Sequence, residues 1–151
     1  MLVSVCHLRA RRPQLPKVFL KHAAPDLTGS QPWSATAYSP SPEKVPVPRE
    51  ATPADLERTI EAFGRAAARC ESAGFDGVEL HGAHGYLLCQ FLGKRSNTRS
   101  DGWGGDLPGR MRLPLAVYDA VRAATSAQFT VGVRLSPTVA GTHRVHVHAT
   151  Q

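Results

Sequence analysis

Gly74-Phe-Asp-Gly-Val-Glu-Leu-His81-Gly-Ala-His84-Gly-Tyr86-Leu-Leu-Cys-Gln90 is the stretch on which the reading of the chain turns. It begins as a short apolar strand over Phe75 to Leu80. Where the apolar pattern stops, it sets down His81, His84 and Tyr86, spaced by Gly82 and Gly85. Proton-handling side chains at the end of a strand are informative because, in parallel α/β folds, the loops at the C-terminal ends of strands converge on the ligand crevice.

Upstream, Thr52-Pro53-Ala54-Asp55 is a helix start with a mechanism. Thr52 can cap, Pro53 suits the first helical position, and Asp55 puts negative charge in the first turn. Leu56, Ile60, Phe63, Ala67 and Cys70 follow at helical spacing, and Gly74 supplies the stop, so the expected helix runs over 53–73. Downstream, Tyr86 to Leu92 reads as a short helix and 96–106 as a Gly-rich polar loop. A second helix is expected over about 109–125, on the condition that Pro114 falls in its first turn. Phe129 to Leu135 reads as a strand that carries Arg134. Lys17 to His22 is a further strand candidate, followed by a loop that holds Pro25, Pro32, Pro40, Pro42, Pro46 and Pro48.

The order strand, loop, helix, strand, loop, helix, strand argues an α/β fold with a parallel sheet and right-handed crossovers. Residues 1–16 and 138–151 carry no matching pattern and stay unassigned, with disorder one reading of the head. The expected domain is therefore 17–137.

At 151 residues the chain has material for one core. Its charge of +6 permits contact with nucleic acid or with a phosphorylated cofactor. No basic run with interleaved aromatics is present, so a nucleic-acid partner is not expected. Cys6, Cys70 and Cys89 are odd in number and widely spaced, which argues against a disulfide framework and against structural zinc. No apolar stretch has the length of a signal peptide or a membrane span, so the expectation is a cytoplasmic protein without a membrane partner.

The pair His81 and His84 has two bland readings: hydrogen bonds to loop carbonyls, or metal ligation. For the second, the sequence offers no third ligand at metal spacing. The proton-transfer reading uses more of the residues: two imidazoles converge on one substrate oxygen while the Tyr86 phenol donates a proton, and Gly82 and Gly85 allow close approach. Arg134, in an otherwise apolar strand, is either half of a structural ion pair or an anion holder, and the second role is preferred.

The run from Ala73 to Leu92, followed by Asn97-Thr-Arg99-Ser-Asp101-Gly-Trp-Gly104-Gly105, Arg110 and Gly132-Val-Arg134-Leu-Ser-Pro137, closely resembles the Old Yellow Enzyme family. These are FMN-dependent oxidoreductases and ene-reductases that fold as (β/α)8 TIM barrels. The resemblance implies about three central β/α units of such a barrel in this chain. It also implies FMN as cofactor, NADH or NADPH as reductant, and an activated alkene or enone as substrate. By position it makes His81 and His84 the ligands of the substrate oxygen, Tyr86 the proton donor, and Arg134 and His22 residues on the cofactor side. Asn97, Arg99, Asp101, Gly104, Gly105 and Arg110 match a loop signature read as structural.

The chain departs from the family pattern at Phe19, which stands where a flavin-contacting Gln is expected. No phosphate-binding loops are recognisable after Pro137. Two exposed sheet edges are then expected, oligomerisation stays open, and the alternative reading is a non-catalytic fragment that binds no FMN.

Overall fold

The computed structural model describes residues 5–8, 33–36, 48–136 and 146–147. The strand candidate over 17–22, with His22 and Phe19, and most of the 138–151 tail lie outside the described residues.

Helix α1 spans Pro53–Ser72, one residue from the expected end. The start is a capping box: the Thr52 hydroxyl accepts from the Asp55 amide at 3.2 Å, and the Thr52 amide donates to Asp55 Oδ2 at 2.8 Å. Strand β4 follows as Gly77–Gly82, then the short helix α2, Leu87–Leu92, the helix α3, Leu107–Ala123, and strand β5, Thr130–Leu135. The start of α3 is set by Asp106, whose carboxylate accepts from the Gly109 amide at 2.9 Å, with Pro108 in the first turn. The condition placed on Pro114 is therefore not met. It lies inside the helix and removes the backbone donor that the Arg110 carbonyl would use, a local cost that the packing of α3 absorbs.

Strands β4 and β5 pair in parallel, from Gly77 opposite Thr130 to Gly82 opposite Leu135. Strand β1, Val5–Leu8, pairs antiparallel with β4, and β6, His146–Val147, pairs antiparallel with β5, in the order β1-β4-β5-β6. The expected all-parallel sheet is thus corrected to a parallel pair flanked by antiparallel strands, and the described residues close no barrel. Both edges of the pair, expected to lie open, are covered, which gives their ladder groups partners. Strand β1 falls within residues 1–16, where the sequence shows no period. A separate parallel bridge joins β2, Trp33–Ser34, to β3, Arg49–Glu50.

Alternation divides the central pair into two faces. Val78, Leu80 and Val131 are buried with Leu56, Phe63, Ala67, Leu113, Val117 and Val121 of the two long helices, forming the apolar core. Helices α1 and α3 approach closely at Gly64, where an added Cβ would stand 3.0 Å from the Ala120 carbonyl oxygen. The opposite face of the sheet carries Glu79, His81 and Arg134, with Gly132 opposite Glu79 and Arg134 opposite His81. One face holds the protein together, and the other gathers its charged and titratable groups.

Candidate active site

His81 is the penultimate residue of β4 and is only 8% exposed. Its Nδ1 is the only buried side-chain polar atom without a hydrogen-bond partner among the described residues. An unmet buried polar atom costs about 1–3 kcal/mol, so the position is expensive unless a ligand completes it. Burial is the main cause that pulls the His81 imidazole below its ordinary pKa. His84 and Arg134 push the same way, and Glu79 opposes them. The ring is therefore neutral at pH 7, with one N–H donor and one acceptor nitrogen.

The chain then turns sharply. His84 has φ 58° and Gly85 φ 75°, and the Tyr86 amide donates to the Ala83 carbonyl at 3.2 Å. Positive φ at both central residues is the signature of a mirror-image type I′ turn. Gly85 is there for its backbone, since a Cβ on it would meet nothing within 4 Å. Gly82 serves a different end: a Cβ there would stand 3.0 Å from the Arg134 carbonyl oxygen, so it permits close strand pairing. His84 has no such licence, and a non-glycine residue held at positive φ costs on the order of 1 kcal/mol or more.

The turn folds Tyr86 back toward His81. Ring centroids lie 5.0 Å apart for His81 and His84, 5.1 Å for His81 and Tyr86, and 6.5 Å for His84 and Tyr86. The three residues expected to form the site are thus brought together. The His84 amide also donates to Ser136 Oγ at 3.1 Å, which ties the turn to the end of β5. No sequence pattern announces this contact, because its partners are 52 residues apart.

Arg134 lies on the same sheet face, and its Nε donates to Glu79 Oε1 at 2.6 Å. The ion-pair reading of Arg134 is therefore realised, and the pair faces the site. Glu79 is not among the residues expected at the site, yet its spacing of two from His81 along the strand places it on this face. Among the described residues, no group of three or more His, Cys, Asp or Glu is gathered to hold a metal, and no helix is long and apolar enough to cross a membrane.

Behind the site, the loop after α2 is tied to backbone carbonyls. Asn97 Nδ2 donates to Phe91 O at 2.8 Å and Trp103 O at 2.9 Å. Arg99 Nη1 donates to Ala35 O at 3.1 Å and Ala51 O at 2.8 Å, while its other two nitrogens grip both oxygens of Asp101. Arg110 donates to Leu92 O and Gly105 O.

Residues 20–149 match the model of the NADH:flavin oxidoreductase / NADH oxidase family. The chain belongs to that family. This is the Old Yellow Enzyme family, whose members use FMN with NADH or NADPH. The chain is 46% identical over 95 residues to a probable NADH-dependent flavin oxidoreductase of Bacillus subtilis, covering 60% of this chain and 26% of that protein. It is 43% identical over 113 residues to a putative 12-oxophytodienoate reductase of rice, Oryza sativa subsp. japonica, covering 72% and 30%. To a chanoclavine-I aldehyde reductase of Penicillium roqueforti it is 41% identical over 126 residues, covering 83% and 32%. The chain spans about a quarter to a third of the length of these three relatives.

The Arg134 guanidinium leaves the sheet on the same side as the buried His81 imidazole, and a cation there has the chemistry to hold an anionic group such as one edge of a reduced flavin.

Proposed function

We propose that this chain carries the substrate-binding strands of an FMN-dependent oxidoreductase that takes hydride from NADH or NADPH and delivers it to an activated alkene, an enone or nitroalkene. The observation that carries the reading is the buried, unpartnered Nδ1 of His81, five ångströms by ring centroid from both His84 and Tyr86. Bound FMN supplies the hydride chemistry, which no side chain in the site can perform.

The chain's own residues do the rest. His81 and His84 hold the carbonyl or nitro oxygen of the substrate and stabilise the negative charge that develops on it as the β-carbon is reduced. Their hydrogen bonds act in a partly dry site, where such stabilisation is strongest. The Tyr86 phenol gives its proton to the α-carbon. Arg134 would hold the flavin edge that gains negative charge on reduction. His22 is assigned to the cofactor side by resemblance. Two relatives support a conjugated substrate by name, an NADH:acrylate oxidoreductase of Vibrio harveyi and the rice 12-oxophytodienoate reductase.

Purification in the presence of FMN tests the reading. A yellow protein that retains stoichiometric FMN after gel filtration is expected. In it, Tyr86→Phe slows reoxidation by an enone while leaving reduction by NADH or NADPH unchanged. A colourless protein that gains no colour with FMN contradicts the reading and supports the alternative of a chain that binds no flavin.

A further inference from the structure

Glu79 and Arg134 are the charged pair of the polar sheet face, and the register explains how they meet. Glu79 stands opposite Gly132 and His81 opposite Arg134, so Arg134 reaches its carboxylate along the diagonal, across a residue with no side chain. The contact is 2.6 Å between Nε and Oε1, with the Glu79 side chain 13% and the Arg134 side chain 32% exposed. A carboxylate this far out of water interacts strongly with its neighbours, and a grip on Nε, at the base of the guanidinium, constrains the plane of the group as well as its position. Arg134 has a second neighbour within reach, His81 directly across the ladder.

We propose that Glu79 is a positioning residue for Arg134: its carboxylate draws the guanidinium along the strand, over Gly132, and keeps the cation from closing on His81. This rests on the reading of that face as the FMN side, where a guanidinium turned toward the flavin edge is useful and one packed against the imidazole is not. The titratable groups that face His81 among the described side chains are Glu79 on its own strand, Arg134 on β5, and His84 and Tyr86 on the turn. Burial, His84 and Arg134 disfavour the imidazolium, and Glu79 is the one group named that favours it.

The test is a double-mutant cycle on two readouts, with Glu79→Gln, Arg134→Met and both together. The first readout is the titration midpoint of the His81 ring, followed by NMR in the flavin-free protein. Glu79→Gln is expected to lower it by about one pH unit, and by clearly less once Arg134 is Met, because the freed guanidinium carries part of the effect. Equal drops in both backgrounds overturn the proposal. If Glu79→Gln does not fold, Glu79→Asp enters the same cycle and is read the same way, with a smaller drop. The second readout is FMN affinity: Glu79→Gln weakens it roughly tenfold, about 1.4 kcal/mol, and adds nothing to Arg134→Met. Additive losses count against positioning. A wild-type protein that takes up no FMN sinks the flavin reading alone, and the His81 cycle still decides whether Glu79 positions Arg134.

Discussion

The segment from Gly93 to Arg110, a loop that runs into the first turn of α3, and the segment from His81 to Tyr86, the end of β4 with the turn after it, are built from similar material, polar side chains set among glycines, and they use it in opposite ways. In the first, Asn97, Arg99 and Arg110 are buried and donate to eight acceptor atoms between them, six of them backbone carbonyls. In the second, His81 is as deeply buried and keeps Nδ1 uncommitted, while His84 sits in a backbone region that favours glycine. Buried polar groups that are satisfied make structure, and one that the protein itself leaves unsatisfied is open to a water or a ligand.

That contrast is open to attack from both sides. The largest effect is expected at Arg99, whose removal leaves Asp101, Glu50 and two buried carbonyls without their cation. Arg99→Ala should lower unfolding free energy by about 3–4 kcal/mol, chiefly because the two buried carbonyls lose their donor, read from the urea midpoint. A loss below about 1 kcal/mol, the value of an exposed pair, would make the loop's bonds ornamental. Next comes Gly109→Ala, which puts a Cβ 2.0 Å from the Gly104 carbonyl oxygen and meets backbone that cannot swing aside. About 3 kcal/mol of destabilisation is expected from such overpacking. A near-neutral result would show the loop to be plastic.

The acid response tests another satisfied group. Arg49 above all, with the Thr52 cap, holds the buried Asp55 carboxyl well below the usual carboxylate range. A carboxyl whose folded pKa lies below its unfolded value, about 3.9, stabilises the fold above that pH and loses the contribution as pH falls further. Asp55→Asn should therefore lower stability at neutral pH and flatten its dependence below about pH 4. An unchanged acid limb in chemical denaturation would contradict the assignment. The smallest stability effect is expected in the turn. His84→Gly relieves the positive φ and should change unfolding free energy by no more than about 1 kcal/mol, while removing the proposed ligand of the substrate oxygen. A large loss there would mean that the turn is scaffold after all.

Much of this division could be read from residues alone, because it rests on local chemistry. The Thr52-Pro53-Asp55 start and the stripe through Leu56, Phe63 and Ala67 placed α1 to within a residue of its end. The histidines and Tyr86 at the end of an apolar run placed the candidate site on a strand terminus. What stayed hidden depends on non-local pairing. The diagonal from Glu79 to Arg134 requires the β4–β5 register, and the anchor from His84 to Ser136 requires the turn to lie against β5. Pro114 lies deeper in the helix than expected because α3 begins at Leu107, under an Asp106 cap and a Pro108 that the hydrophobic stripe does not reveal. The antiparallel β1 and β6 answer to open sheet edges, which no short segment encodes by itself.

If the uncommitted His81 nitrogen and His84 together receive a ligand oxygen beside bound FMN, a phenol titrated into the FMN-loaded protein gives a long-wavelength charge-transfer band in the wild type. The band is lost when His81 and His84 are both replaced by Ala, with FMN still bound. A band that survives the double replacement would contradict that shared role of the two histidines.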